Sequence, residues 1–309
     1  MRVFLGVDGG QSSTEALIGD ESGQVIGCGT AGPCNHAAAG EGRARMESAV
    51  RESVAAACRE AGLDPGVHFA AACFGMSGGP DDKRDLIAAI VSAEKLVVTT
   101  DAEIALCGAT ETGQGIIVIA GTGSIALGRN PDARQARAGG WGYVFGDEGS
   151  AFDIVRQALR SALRMEEGWG PGTALRAVIL QATESASANE ALHRFYGPDW
   201  PRDRVAGLAP LVDTAANEAD SVANEILNYS ALQLATLVTS VRGQLWKPGD
   251  PVEVAYTGGV FGSGIVRERF RLLLELDAGT RCVPPKYRPA EGALREAWRV
   301  GGMKSDAGF

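Results

Sequence analysis

Two glycine-rich stretches of this chain carry hydroxyl side chains between short apolar runs, and both could bind phosphate. One spans residues 121–124 (Gly-Thr-Gly-Ser), and the other spans residues 9–14 (Gly-Gly-Gln-Ser-Ser-Thr). Glycine lets a backbone approach a ligand closely, and a tight bend points several N–H groups at one spot. Each stretch therefore predicts a hairpin of two strands with a phosphate site at its tip. Two such hairpins could hold one polyphosphate from two sides.

Two carboxylates stand where predicted strands end. Asp8 precedes the first glycine tip, where it could hold Mg²⁺ directly or through water. The alternative interpretation is that Asp8 is the aspartate of an ordinary Asp-Gly hairpin turn. Asp101 follows Thr99 and Thr100 and could accept the proton of an attacking hydroxyl group. The alternative interpretation is that Asp101 is the N-cap of the helix that follows. The residue types alone leave both interpretations open for Asp8 and for Asp101.

Other polar and aromatic residues lie among glycines and prolines, where they could contact a polyhydroxy ligand. Asn35 and Asp147 could hydrogen-bond such a ligand, and Trp141 could cover its apolar face. The alternatives are a turn at Asn35, helix capping by Asp147 or Ser150, and a core position for Trp141. The glycines of residues 258–263 could lie flat against a nucleotide, or they could form a simple strand-to-helix turn.

Two motif matches and one absent motif bear on other possible functions. Residues 27–32 fit G-x-G-x-x-G, but Pro33 follows and no helix opens there, which excludes a dinucleotide fingerprint. The chain has no G-x-x-x-x-G-K-[ST] sequence, so it is not a P-loop enzyme. Residues 75–79 fit G-x-S-x-G, which keeps a hydrolase with Ser77 as nucleophile open, with His193 as the only later histidine.

Composition limits the possible partners and location. The chain's length of 309 residues is enough for two domains, and 45% of the residues are hydrophobic. Its net charge of −9 argues against binding to nucleic acid or an anionic membrane. The chain opens directly with a predicted strand, and no apolar run reaches the ~20 residues that span a bilayer. The six cysteines form no CxxC pair, which favours a cytoplasmic protein with reduced cysteines and neither structural zinc nor an iron–sulfur site.

The order of predicted elements repeats along the chain. Residues 2–109 read β-β-β-α-β-α-β-α. Residues 115–300 read β-β-β and β-α-β-α around a helical insertion from 150 to about 242. A duplicated α/β unit predicts two domains, and the cleft between two domains is the usual place for a ligand.

Taken together, these motifs resemble the actin/hexokinase/Hsp70 ATPase superfamily, and within it the N-acetylglucosamine kinase family of the BadF/BadG/BcrA/BcrD-type ATPases. The motifs that carry the resemblance lie at residues 6–10, 34–36, 76–79, 99–101, 120–124 and 139–150, the last being the most distinctive. The resemblance implies two duplicated ribonuclease H-like (actin-like ATPase) domains. The first spans 1–112 with a C-terminal helix at 290–302, and the second spans 113–289.

The resemblance also implies roles for individual residues. Asp101 matches the catalytic base, and Asp8 matches the acidic residue associated with Mg²⁺. The positions that match sugar contacts are Asn35, Ser77, Gly78, Gly140, Trp141, Gly142 and Asp147. The positions that match ATP contacts are Gly10, Gln11, Ser12, Thr122, Gly123, Gly207, Gly259 and Ser263.

The activity implied is ATP- and Mg²⁺-dependent phosphorylation of an amino sugar, with N-acetylglucosamine and its 6-hydroxyl group first, by a cytoplasmic homodimer. Gln11 and Ser12 replace the Gly-Thr of the animal enzymes, and Tyr143 replaces their His near the sugar pocket. The alternatives are glucosamine, N-acetylmuramic acid or a neutral hexose as acceptor, an ATPase that acts on a protein partner, and the Ser77 hydrolase. The absence of a convincing cysteine pair favours the kinase branch over the iron–sulfur activators.

Overall fold

The computed structural model describes residues 2–10, 13–34, 40–78 and 83–303, which fold into two compact units. Unit 1 comprises the described residues up to Gly115 together with those from Pro285 onward, and unit 2 comprises residues 116–284. The domain boundaries expected at 112 and 289 stay a prediction. None of the helices in the described ranges combines the length and apolarity needed to cross a bilayer.

Unit 1 is a five-stranded sheet with helices on both faces. Its elements in chain order are β1 (Val3–Gly9), β2 (Thr14–Asp20), β3 (Val25–Ala31), α1 (Gly40–Glu60), β4 (Ala71–Met76), α2 (Arg84–Ala88), β5 (Leu96–Thr100) and α3 (Asp101–Ala109). The strands lie in the order β3-β2-β1-β4-β5, with β1, β4 and β5 parallel and β1, β2 and β3 antiparallel. The meander and the strand–helix repeat predicted from the sequence are both present.

Unit 2 repeats this sheet order around a helical insertion. Its elements are β6 (Gly115–Ala120), β7 (Ser124–Arg129), β8 (Gln135–Gly139), α4 (Ala151–Glu166), α5 (Leu175–Thr183), α6 (Ala188–Phe195), α7 (Arg202–Ala206), α8 (Ala209–Asn217), α9 (Ser221–Leu245), β9 (Val252–Thr257), α10 (Gly264–Glu275) and β10 (Thr280–Val283). The strand order β8-β7-β6-β9-β10 matches that of unit 1 element by element, so the predicted duplication and α/β fold class are confirmed.

The last helix, α11 (Pro289–Val300), packs back onto the sheet of unit 1. It approaches β1 so closely that a Cβ atom on Gly6 would lie 2.2 Å from the backbone nitrogen of Leu294. Leu294 and Trp298 complete a buried apolar cluster on this face, whereas α1 covers the other face. The C-terminal helix thus holds β1, the strand that ends at Asp8, from one side.

Candidate active site

The carboxyl ends of three parallel strands in unit 1 bring together Asp8, Ser77 and Asp101. These residues lie at the ends of β1, β4 and β5, which are adjacent in the sheet. The register pairs Asp8 with Gly75 on β4, and the backbone nitrogen of Ser77 donates to the carbonyl of Gly9 at 3.0 Å. Parallel strands end at one edge of a sheet, which is where α/β proteins bind ligands. Three predicted site residues from distant parts of the sequence therefore share one edge.

Asp101 is the first residue of α3, and Thr100 caps the helix by accepting from the backbone nitrogen of Glu103 at 3.2 Å. The expectation that Asp101 is the N-cap is therefore wrong, because the β-branched hydroxyl one residue earlier takes that role. The carboxylate accepts from the backbone nitrogen of Ala102 at 2.8 Å and from the Ser77 hydroxyl group. Asp101 itself remains exposed, so its carboxylate is accessible to a ligand.

The pKa of Asp101 is raised above its ordinary value, mainly because surrounding protein reduces the hydration of the carboxylate. The hydrogen bonds from Ala102 and Ser77 and the positive charge of Lys83 act in the opposite direction. A carboxylate with a raised pKa is a stronger base than an ordinary one, and the hydrogen bonds support its charged form. That balance suits a general base for a sugar hydroxyl group.

The pKa of Asp8 is also raised, and Asp8 lies close to other negative charges. Burial, together with the negative charges of Asp101 and Glu15, raises its pKa to about 6. A cation at this position would relieve both effects. No group of three or more His, Cys, Asp or Glu side chains in the described part of the chain forms a ready-made metal cage. The donor set fits Mg²⁺, which takes one or two carboxylates and completes its shell with water and phosphate oxygens.

Hydrogen bonds hold the described residues on either side of the glycine tip between β1 and β2. The backbone nitrogen of Gly10 donates to the carbonyl of Ser13 at 3.0 Å, and the nitrogen of Cys34 donates to the carbonyl of Gly10 at 2.9 Å. The predicted contacts Gln11, Ser12 and Asn35 lie outside the described residues. On the β4 side of this edge, Gly78 is exposed and adopts a left-handed φ of 79°.

Lys83 is a residue of this site that sequence reasoning missed. It is fully buried just before α2, and its charge lowers the pKa of both Asp101 and Cys34. Lysine is almost never fully buried without partners, so its position indicates a specific electrostatic role. A lysine that follows glycine, proline and aspartate in the sequence looks like a solvated surface residue, and no local pattern distinguishes it.

Unit 2 contains a cavity of about 540 Å³, a size typical of small-molecule sites. Four of the predicted ATP contacts line it together, and these are Thr122, Gly207, Gly259 and Ser263. They come from the β6–β7 tip, the end of α7 and the segment after β9. Two carboxylates, Asp203 and Asp213, also line the cavity. The structure thus gathers residues about 140 positions apart around one space.

The β6–β7 tip forms the wall of this cavity and is fixed from behind. Within the tip, the backbone nitrogen of Gly121 donates to the carbonyl of Gly123 at 2.9 Å, and the nitrogen of Ala151 donates to the carbonyl of Gly121 at 2.9 Å. The Ser124 hydroxyl group donates to the carbonyl of Glu148 at 2.7 Å. The tip is therefore held against the start of α4.

The two glycines after β9, Gly258 and Gly259, have different structural roles. Gly258 has a φ of 106°, and a Cβ atom there would lie 2.3 Å from the carbonyl oxygen of Ala120 on β6. Gly259 has nothing within 4 Å of such an atom and lines the cavity. Gly258 is thus needed for close packing of the strands, whereas Gly259 leaves open space beside the backbone.

Ser263 sits at the start of α10, where its hydroxyl oxygen accepts from the backbone nitrogen of Val266 at 3.3 Å. The same hydroxyl group donates to the carboxylate of Asp213. The simple strand-to-helix turn considered as an alternative is therefore present, because Ser263 caps the helix. The cap also places this hydroxyl group on the cavity wall, so capping and ligand contact are compatible.

The glycine-rich segment 139–149 is built on left-handed backbone conformations. Positive φ angles occur at Gly139, Gly140, Gly142 and Gly149, where a side chain would be strained, and also at Asp147.

Within this segment Trp141 is 68% exposed, with the guanidinium group of Arg137 over its ring at 4.6 Å. The alternative of a core position for Trp141 is wrong. The exposed ring can cover the face of a ligand.

Asp147 is buried and has two partners. One carboxylate oxygen accepts from the backbone nitrogen of Ser124 at 3.3 Å, and the other lies 2.5 Å from a terminal nitrogen of Arg202. The predicted ATP contact Gly123 does not line the cavity but packs against this ion pair. Ser150, not Asp147, caps α4. Arg202 was not among the residues expected from the sequence.

Comparison with known proteins places these observations in a family. The profile of the BadF/BadG/BcrA/BcrD ATPase family matches residues 5–297. The chain is similar to an N-acetylmuramic acid/N-acetylglucosamine kinase of Clostridium acetobutylicum, with 32% identity over 90% of this chain and 92% of the relative. It is also similar to an N-acetyl-D-glucosamine kinase of Dictyostelium discoideum, with 30% identity over 83% and 85% of the two chains.

A solved structure from Chromobacterium violaceum, described as a candidate N-acetylglucosamine kinase, has a similar fold. It has a TM-score of 0.76 and 27% identity, and the match covers 95% of this chain and 98% of the other. The likeness therefore extends over both units and not only over the glycine-rich motifs.

Proposed function

This chain belongs to the BadF/BadG/BcrA/BcrD ATPase family, and on that premise we propose that it transfers a phosphoryl group from ATP to an amino sugar. The family and the two-domain fold inferred from the motifs are thereby confirmed. N-Acetylglucosamine is the first acceptor to consider, because the similar proteins from Clostridium acetobutylicum and Dictyostelium discoideum are both named as kinases of that sugar.

The observation that carries the proposal is the cavity of unit 2. Its volume of about 540 Å³ suits a nucleotide, and Thr122, Gly207, Gly259 and Ser263 meet on its walls. The β6–β7 tip presents backbone N–H groups of the kind that hold phosphate oxygens. The open space at Gly259 gives a flat ring access to the backbone. We assign the nucleotide to this cavity and its phosphates to the tip.

In the reaction, Asp101 accepts the proton of the attacking sugar hydroxyl group. The hydroxyl oxygen forms a bond to the γ-phosphorus, and the bond from that phosphorus to the bridging oxygen breaks. ADP leaves with the electron pair of the broken bond. The exposed carboxylate, its raised pKa and its hydrogen bonds from Ser77 and Ala102 support this role. The 6-hydroxyl group is the acceptor we propose on N-acetylglucosamine.

Asp8 would hold Mg²⁺, which neutralises phosphate charge during transfer. The support is the raised pKa of Asp8 and the crowding of Asp8, Asp101 and Glu15, which a cation would relieve. Lys83 assists Asp101, because its positive charge opposes the effect of burial. The hydrogen bond from Ser77 holds the Asp101 carboxylate in place.

The segment 139–149 would bind the sugar. Trp141 would stack on its apolar face and Asp147 would accept from its hydroxyl groups, with Gly140 and Gly142 allowing the close approach. The exposed indole and the left-handed backbone support this assignment. The choice among N-acetylglucosamine, glucosamine and N-acetylmuramic acid, the homodimer and the cytoplasmic location stay predictions.

The test is ADP release from ATP and Mg²⁺, measured with N-acetylglucosamine, glucosamine, N-acetylmuramic acid, glucose and no sugar. We expect an amino sugar to stimulate release strongly, with stoichiometric formation of a sugar phosphate. Release that no sugar changes would refute the kinase and favour an ATPase with a protein partner. Labelling of Ser77 by a fluorophosphonate without any ADP release would favour the hydrolase.

A further inference from the structure

Arg202, the first residue of α7, contacts two parts of unit 2 to which different roles have been assigned. Its terminal nitrogen lies 2.5 Å from a carboxylate oxygen of Asp147, the proposed sugar contact. The same nitrogen lies 2.6 Å from where a Cβ atom on Gly123 would be, so the guanidinium group rests on the β6–β7 tip. One cation therefore touches both the proposed sugar carboxylate and the proposed phosphate tip.

The charge balance of the cavity makes this position significant. Its lining includes the carboxylates of Asp203 and Asp213 and no lysine or arginine among the residues described. A triphosphate carries several negative charges, and phosphoryl transfer spreads more charge over the transferred group. Cationic donors directed at that group are the usual means of stabilising it. Arg202 is a cation already in contact with the tip.

The guanidinium group also has unused hydrogen-bonding capacity. Its Nε atom is buried and has no hydrogen-bond partner among the described residues. Arginine presents five donors, and the ion pair with Asp147 uses only one edge. The guanidinium carbon lies 5.4 Å from the ring centre of Tyr143, which supports the plane of the group. A buried donor without a partner is costly, so an anion that reached Nε would be favoured.

We propose that Arg202 is a further catalytic residue, whose guanidinium group moves from Asp147 to the phosphates when the sugar binds. This inference rests on the proposed function. Sugar hydroxyl groups that donate to Asp147 compete with Arg202 for the same carboxylate oxygen. The guanidinium group then turns to the phosphoryl oxygens at the β6–β7 tip. There it stabilises the charge of the transferred group and exchanges no proton, while the hydroxyl proton still goes to Asp101.

This arrangement couples the two substrates. Without sugar, Asp147 neutralises Arg202, and the phosphates lack its charge, so ATP hydrolysis is slow. With sugar bound, the charge becomes available for transfer to the acceptor. The ratio of ADP release with sugar to release without sugar is thus the quantity that depends on Arg202.

Arg156 provides a matched control on the same unit. It forms a similar ion pair with Asp153 at 2.6 Å, and the side-chain exposures are 34% and 4%, against 35% and 5% for Arg202 and Asp147. Its Nε atom likewise has no partner among the described residues. Arg156→Gln therefore removes a comparable ion pair without removing the cation from the tip.

The experiment compares Arg202→Gln, Arg202→Lys and Arg156→Gln with the unchanged chain. The measurements are kcat and KM for ATP and for the stimulating sugar, ADP release without sugar, and thermal unfolding. We expect Arg202→Gln to lower kcat with sugar by about 10²–10³-fold, so that the ratio of ADP release with sugar to release without sugar falls. Arg202→Lys keeps the charge and the fold, and should lose roughly tenfold in kcat, because lysine lacks the planar fork. Arg156→Gln should keep the stimulation ratio.

Guanidinium ion added at millimolar concentration to Arg202→Ala should restore part of the stimulated rate. A folded Arg202→Gln protein whose kcat stays within about threefold of the unchanged chain would overturn the inference, as would a rise in KM for the sugar alone. If the unchanged chain shows no stimulation by any sugar, the proposed function fails first, and this inference fails with it. If a sugar stimulates the unchanged chain but Arg202→Gln has no effect, only the inference about Arg202 fails and the proposed function stands.

Discussion

Replacing Asp8 by asparagine should stabilise unit 1 and at the same time remove the Mg²⁺-dependent activity. Burial, with smaller contributions from the charges of Asp101 and Glu15, raises the pKa of Asp8 from 3.8 to about 6. The folded state therefore disfavours the ionised carboxylate. An asparagine at this position keeps the size of the side chain but carries no charge.

The sign and size of the effect follow from linkage. Below pH 3.8 Asp8 is protonated in both the folded and the unfolded chain, and it costs nothing. Between about pH 4 and 6 the folded state binds the proton more tightly, so stability falls as the pH rises. Above about pH 6 the full cost applies. Each pKa unit is worth about 1.4 kcal/mol, so the shift from 3.8 to about 6 corresponds to about 3 kcal/mol at most.

The assay is thermal unfolding of the unchanged chain and Asp8→Asn from pH 4 to pH 8. At the upper end the variant should unfold at a higher temperature by up to roughly 6–12 °C, and the two curves should converge toward pH 4. Mg²⁺ should narrow the gap, because it stabilises only the ionised carboxylate. ADP release with sugar should be lost in the variant.

Asp20→Asn is the control in the same hairpin. Hydrogen bonds, first from the Ser22 side chain, lower the pKa of Asp20. That carboxylate therefore stabilises the fold above its unfolded pKa, and this contribution is lost as the pH falls. Asp20→Asn should lower the unfolding temperature at pH 7, which is the opposite sign. Equal unfolding temperatures of the unchanged chain and Asp8→Asn across the pH range would refute the reasoning, as would Mg²⁺-dependent turnover in Asp8→Asn.

Three further predictions concern other parts of the site. Asp101→Asn should bind ATP and sugar almost normally and lower kcat by about 10²–10⁴-fold, as measured by steady-state kinetics; near-normal turnover would contradict its role as base. Trp141→Ala should raise KM for the sugar by about tenfold with an unchanged unfolding temperature, because the ring is exposed; a loss of stability would instead indicate a core role. Gly258→Ala should destabilise unit 2 by more than about 1–3 kcal/mol in denaturant unfolding, because of the contact with Ala120, while Gly259→Ala should fold normally and weaken ATP binding.

Much of the secondary structure could be predicted from the sequence because the patterns are strong. Short apolar runs bounded by glycine, proline and aspartate predict strands at residues 115–120, 124–129, 135–139, 252–257 and 280–283, and β6 to β10 have these limits. The sequence is less informative where packing decides the limits. It predicts one strand over residues 67–74, but β4 starts only at Ala71. It predicts a helix from about residue 103, but α3 starts at Asp101 because Thr100 caps it.

The candidate site was predictable where a local motif carries the chemistry. Asp8, Asp101 and the two glycine tips could all be named, because each combines a strand end with residue types that bind phosphate or move protons. Lys83 and Arg202 could not be named. Their significance comes from burial and from contacts with residues far away in the sequence, and neither burial nor distance is encoded in the local pattern.

The sequence by itself determined the order of the elements, the duplication and the family, since periodicity and turn chemistry are local properties of the chain. Tertiary structure alone decided that four residues from distant segments would line one cavity, and that Arg202 would lie between Asp147 and the β6–β7 tip. It also decided the pKa of Asp8, because that value depends on burial and on charges from β2 and α3. These properties arise only when separate segments are packed together and water is excluded around them.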